Sequence, residues 1–528
     1  MNTGLRRRPR KAIRRIVLPG LLCLNACMRP EQDADQAIRI PRLPRLFPDY
    51  TDLVIPPNSA PINFRIQEDG QAYRITIRSG KGEPVVLRST DPRIRIPEGP
   101  WRRLLARSKG DSLTVQVEAR TEENRWMRFE PVVHRVAASP VDGFLVYRKL
   151  RPYHTLWGGM GLYQRDLSTF SEVPVLLNRT TDDACINCHS FYQKKPDRMI
   201  LHVRGRIGSG MLAASDDSVI KVDTRTAFNQ GHATFRSWHP DGEQIAVSVN
   251  RFIQLFHATG ESREVCDLGS DLMLYHFATR TMSTFPAIAR PDRMETYPCW
   301  APDGRRLYFS SAPAIESYLT EKDDRIDAIY KKIRYDLQAI DHDPDAGTWG
   351  PLVTLVSSEE TGKSLLQPTV SPDGRWLIFC MAGYGGFPIF NRTSDLCIMD
   401  LETGAYRKPA VNSNDVESSP CWSSNGRWLV FVSKRMDGMY AFPYLCHVDA
   451  DGRLSKPFPV PQKNPDAYAL IRETFNVPEF VTGPIKTSWE ALSEAAVNPA
   501  FAVRAKLDEK VRVDHVTGAS VNAMWRQP

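Results

Sequence analysis

Ser419-Pro420-Cys421-Trp422-Ser423-Ser424-Asn425-Gly426-Arg427-Trp428-Leu429-Val430-Phe431-Val432 is the stretch that decides the fold. It reads as strand, tight turn, strand. Asn425 and Gly426 supply the positive backbone φ of a short turn, and the flanking residues are the aromatic and β-branched types that strands favour. The unit recurs three times. Trp238, Asp241 and Gly242 precede the run Gln244–Ser248; Trp300, Asp303 and Gly304 precede Arg306–Ser310. Asp373 and Gly374 precede Trp376–Cys380, with Val370 in the tryptophan position. All-β repeats of roughly 40–70 residues predict a propeller with one sheet per blade. Further blades are expected at 199–226 and 144–177, for about six to eight in all. The repeated Trp and Asp-Gly positions read as structural, because they recur without other chemistry around them.

Cys185-Ile186-Asn187-Cys188-His189 lies inside this repeat region. The C-x-x-C-H spacing is the covalent attachment signature of a c-type haem. Two thiols add to the porphyrin vinyl groups and the adjacent His189 is the proximal iron ligand. No second C-x-x-C exists to complete a zinc site. Thr181-Asp182-Asp183-Ala184 offers a polar cap, so a short helix is expected through Cys185–Ser190, with a haem segment at 181–205 inserted in the propeller. His202 is the leading candidate for the sixth iron position; Met199 and Met211 are thioether alternatives, and His154 and His239 more distant ones. Arg204 is a candidate partner for a haem propionate. The loop Gly383–Phe387 combines glycine and aromatic residues and could reach a ligand.

Haem attachment takes place outside the cytoplasm, and the amino terminus carries an export pattern. Seven basic residues and no acid precede a short apolar stretch from Ile16 to Ala26, too short to span a bilayer. It ends in Leu24-Asn25-Ala26-Cys27, similar to a bacterial lipobox in which Cys27 would be lipidated. The formal charge of +8 thus falls to about +1 once those seven residues leave, and gives no support for nucleic-acid binding. An exported compartment permits disulfides among Cys266, Cys299, Cys380, Cys397, Cys421 and Cys446, whose pairing sequence alone does not give.

The remaining layout is read from composition and alternation. Residues 1–27 form the signal with lipobox, and the proline-rich 28–60 a linker. Alternating runs at Tyr73–Ile77, Pro84–Leu87 and Leu113–Val117 mark a small antiparallel β-sandwich-like domain over 61–137. The propeller occupies 138–465, with a charged, helix-like rim insertion at 314–340, and a C-terminal extension follows over 466–528.

The repeat resembles the TolB-like β-propeller family, whose blades carry a W-S-P-D-G-x-x-[LI]-x-[FV] core, over roughly 200–450. The whole chain is similar to a group of exported lipoproteins that join this propeller to a single C-x-x-C-H. The likeness is carried by Phe47-Pro48-Asp49-Tyr50-Thr51-Asp52, by Ile55–Phe64, by Leu162-Tyr163-Gln164-Arg165-Asp166 and by Leu201–Gly205 after the haem motif. That resemblance implies an architecture and a covalent haem c, and no substrate.

Three functional classes stay open. One is an exported electron-transfer protein, tethered by lipid to a membrane, with a redox partner in the cell envelope or periplasm. The second is a protein- or glycan-binding propeller scaffold in which the haem is structural or sensory. The third is a haem-dependent peroxidase-like enzyme; no G-x-S-x-G supports a hydrolase.

Overall fold

The computed structural model describes residues 37–511, apart from 152–158, 207, 217, 256–262 and 320–324. Six four-stranded antiparallel sheets form the ring of a six-bladed propeller. Blade 2 consists of Cys185–Phe191, Arg198–Arg204, Gly210–Ser215 and Ser218–Asp223. Blades 3 to 6 begin at Ala233–Trp238, Arg293–Trp300, Ser364–Val370 and Glu417–Trp422. Blade 1 is built from both chain regions: Phe144–Leu150, Gly161–Asp166 and Glu172–Leu177 are joined by Thr474–Val481, which pairs antiparallel with Phe144–Leu150. This strand closes the ring. Closure leaves no open end to the ring of blades.

The sequence explains the blades locally. Trp428–Ser433 is apolar apart from its last residue and buried throughout, as a strand sandwiched between neighbouring sheets must be. The turn glycines Gly242, Gly304, Gly374 and Gly426 all have positive φ, between 65° and 76°. At Gly304 a side chain would also collide with His239, 2.5 Å from the ideal Cβ position.

One irregularity is shared by the strands that line the central channel. Each of the six carries a register shift in its pairing with its neighbour. In five of them a non-glycine residue there is left-handed: Cys188 (φ 49°), Tyr297 (54°), Gln367 (54°), Ser419 (52°) and Val477 (47°). This is a β-bulge repeated around the channel. In four blades the next residue is proline (Pro298, Pro368, Pro420, Pro478); in blade 2 it is His189.

Four expectations are corrected. Cys185–Phe191 is a strand, not a helix, because tertiary pairing with Arg198–Arg204 outweighs the local cap signal. The haem segment is therefore the channel strand of a blade and not an insertion. Residues 38–60 are not a free linker: Ile38–Ile40 and Val54–Ile55 pair in parallel with Trp126–Phe129 and Val132–Val136, and Leu53 and Ile55 are buried. The prolines there fit extended edge strands, where a missing N–H is tolerated. The C-terminal region is no separate extension, since 474–481 completes blade 1. Beyond it, the helix Trp489–Val497 follows, and Ala502–Arg504 and Lys506–Leu507 add parallel edge strands to blades 2 and 3.

The N-terminal domain is a seven-stranded mixed sheet with a three-stranded companion and a helix, Glu98–Arg107, that buries Trp101, Leu104 and Leu105. It sits on blade 6. The Tyr50 hydroxyl donates to the Pro459 carbonyl at 3.1 Å, and Trp428 Nε1 to the Ser139 carbonyl at 3.2 Å.

Candidate functional site: the channel wall of blade 2

The channel strands enclose a cavity of about 540 Å³. Cys188 and His189 form part of its lining, together with Phe235, Arg236, Tyr297, Cys299, Cys421 and Glu479. The bulge places them there: it turns Cys188 out of the strand's regular alternation toward the channel.

His189 is 5% exposed. Its ring packs edge-on against Phe191, and it hydrogen-bonds the Val146 backbone in blade 1. Its Nε2 is buried and has no hydrogen-bond partner. Burial, reinforced by Arg236 and Arg148, lowers its pKa to about 3, so the imidazole is neutral. A neutral imidazole held through one nitrogen by a backbone group, with the other nitrogen bare, is the form that ligates iron. The Cys188 thiol is pushed up by burial, with Arg236 and Arg148 opposing the rise. Cys185 is 3% exposed, and Arg204 Nη2 lies 3.9 Å from its sulfur.

Lys194 closes the other flank. Its Nζ lies 3.0 Å from Glu479 Oε1 and 3.2 Å from Cys421 Sγ, tying blades 2, 1 and 6 together. Burial works against its charge, but Cys421 and Glu479 outweigh it and raise its pKa. Glu479 also accepts the Phe191 N–H at 3.2 Å. The loop Gly383–Phe387 covers the channel wall: the Tyr297 hydroxyl donates to the Gly386 carbonyl at 2.7 Å, and the Phe387 ring meets those of Phe235 and Phe252.

The candidate residues do not all converge. Cys185, Cys188 and His189 share one short segment. His202 pairs with Asn187 and lies beside His232, ahead of blade 3, with its Nε2 buried and unpartnered. It faces blade 3, whereas His189 faces blade 1. Met211 pairs with His202; Met199 pairs with Phe191. His239 lies at the blade 3 turn, against Trp300 and 3.3 Å from the Gly304 carbonyl. His154 and Cys27 lie outside the described residues. Arg204 stands at the cysteine end of the motif. On a c-type haem the thioether-bearing vinyl groups and the propionates occupy opposite edges, so that position suits the attachment edge.

Sequence reading missed Arg148, Arg236, Lys194 and Met160, whose sulfur accepts the Ile186 N–H at 3.3 Å. Nothing in their local spacing marks them; only ring closure assembles them. The donor set, two cysteines followed by a histidine whose Nε2 is bare, is compatible with a covalently attached haem. Among the described residues no group of three His, Cys, Asp or Glu side chains is placed to hold a bare metal ion, and no helix is long and apolar enough to cross a membrane.

Fold and site together define a six-bladed β-propeller with a pair of cysteines and a histidine in one blade's channel strand. No protein-family model matches the sequence, and no curated protein sequence matches it. Similar solved structures include the Cps50 (Swd1) β-propeller domain of Myceliophteria thermophila, with 11% identity over 51% of this chain and 71% of that one (TM-score 0.31). The Dos1 propeller has 10% identity over 54% and 66% (TM-score 0.32). A gluconolactonase of Xanthomonas campestris has 12% identity over 54% and 82% (TM-score 0.33). The fold assignment rests on the chain's own six sheets.

Proposed function

We propose that this chain is an exported c-type haem protein, a TolB-like propeller that carries one covalent haem and transfers electrons in the cell envelope. The observation that carries the reading is the bare, neutral Nε2 of His189 directly after the paired cysteines. Cys185 and Cys188 would hold the porphyrin through thioethers and His189 would hold the iron. The bound group supplies one-electron redox chemistry. The protein supplies the rest. Burial of His189 excludes water from its ligating nitrogen, and the Val146 backbone fixes its ring. Arg148 and Arg236 place positive charge near the site, which favours the less positive, reduced state. Export and lipid attachment at Cys27 belong to the same proposal, with a redox protein as partner.

A pyridine haemochrome spectrum of the chain isolated from its own cell envelope tests it. Two thioether-bonded vinyl groups are expected; a colourless protein without a Soret band ends the reading. In that event the cavity of about 540 Å³ would leave a binding scaffold as the function, recognised by a stable envelope partner captured regardless of redox state.

A further inference from the structure

We propose that Arg148, with Arg204 and Arg263, forms a binding site for a small free anion of the carboxylate or phosphate type at the Cys185 end of the channel strand. The three arginines come from blades 1, 2 and 3 and meet around one sulfur. Arg204 Nη2 lies 3.9 Å from Cys185 Sγ. Arg263, at the start of the long strand Glu264–His276, is within electrostatic reach of both Arg148 and Cys185. Arg148 reaches under the channel strand, where its Nη1 donates to the Asn187 side chain and lies 3.4 Å from the Ile186 carbonyl.

Arg148 is 9% exposed, and its Nε is buried without a hydrogen-bond partner. The described groups that act on its charge are Cys185, Cys188 and Arg204; no carboxylate is among them. Other buried arginines of the molecule are treated differently. Glu118 receives Arg74 and Arg128, Glu417 receives Arg435, and Arg236 has Glu479 within electrostatic reach. A buried cation without a counter-charge is costly. Two more guanidinium groups beside it add to that cost. A bound anion removes it, and guanidinium groups match the oxygens of carboxylates and phosphates in pairs. The site is separate from iron ligation and needs no haem.

The test uses wild-type protein made without haem attachment, and the same protein with haem, in buffers holding only chloride, then with inorganic phosphate or with succinate. A saturable rise in melting temperature with phosphate or succinate is expected, and whichever acts at the lower concentration names the class. Arg148→Gln separates this from a structural role. If the anion site is real, R148Q in chloride melts no lower than wild type and has lost the anion response. A variant that melts lower and keeps the response overturns the proposal, as does wild type with no response in either form. The haemochrome result is read independently, so a chain without haem that still binds phosphate removes the functional reading and leaves this one standing.

Discussion

His189 occupies in blade 2 the position that Pro420 occupies in blade 6. Cys188 and Ser419 precede them with φ of 49° and 52°, at the same register shift of the channel strand. The other residues at this position, Pro298, Pro368 and Pro478, show that the bulge tolerates a ring lacking an N–H. His189→Pro therefore returns blade 2 to the pattern of its neighbours. We expect it to keep the propeller, with a near-unchanged circular dichroism spectrum and a melting temperature within a few degrees of wild type, measured on both apoproteins. The same variant loses the axial histidine, so its haem spectrum changes. A variant that fails to fold would show that His189 is needed for the blade itself.

His189 and His202 face opposite sides of one sheet, toward blade 1 and blade 3. A single iron held by His189 is thus separated from His202 by the strand pair that carries them. We expect His202→Ala to leave the optical and electron-paramagnetic spectra of the ferric haem unchanged, while His189→Ala alters both. Loss of a low-spin bis-imidazole signal in H202A would mean that blade 2 rearranges on haem attachment.

Ring closure gives a stability prediction. Phe480 lies in the closing strand, is fully buried, and is separated from its partner Leu145 by more than three hundred residues. Phe480→Ala removes core contacts on both sides of the closure, at a cost of about 3–5 kcal/mol. Equilibrium urea unfolding should show this as a lower midpoint. Truncation after 501, which removes only the edge strands Ala502–Arg504 and Lys506–Leu507, should cost much less. Equal effects would show that the ring is not closed by 474–481.

The four Trp/Asp-Gly repeats were legible because turn chemistry and strand composition are local, and they give the all-β class directly. The other two blades were harder. Cys188-His189-Ser190-Phe191 matches Ser419-Pro420-Cys421-Trp422 position by position only once histidine is allowed in the proline place and phenylalanine in the tryptophan place. Val477-Pro478-Glu479-Phe480 carries the same pattern, but its turn lies across the closure, so no Asp-Gly follows it. The capping residues Thr181–Asp183 pointed to a helix at the haem motif because their signal is local, whereas pairing with Arg198–Arg204 is decided by the ring. Arg148 and Lys194 were invisible for the same reason: their partners lie in other blades.

His134 links the N-terminal domain's stability to pH. It is 2% exposed, and its Nδ1 accepts the Leu53 N–H at 3.2 Å, which requires the neutral ring. Burial, with a smaller contribution from Lys456, lowers its pKa from 6.5 to about 4. Between those values the unfolded chain binds a proton that the folded chain does not, so stability falls as pH falls from 6.5 toward 4 and is fully present above 6.5. The shift corresponds to a loss on the order of 3 kcal/mol. His134→Gln keeps an acceptor for Leu53 and has no proton to take up. The difference in unfolding free energy between wild type and variant, measured by urea titration at several pH values, should therefore change in the variant's favour on acidification across this window. A difference independent of pH would mean that His134 is already protonated in the folded domain.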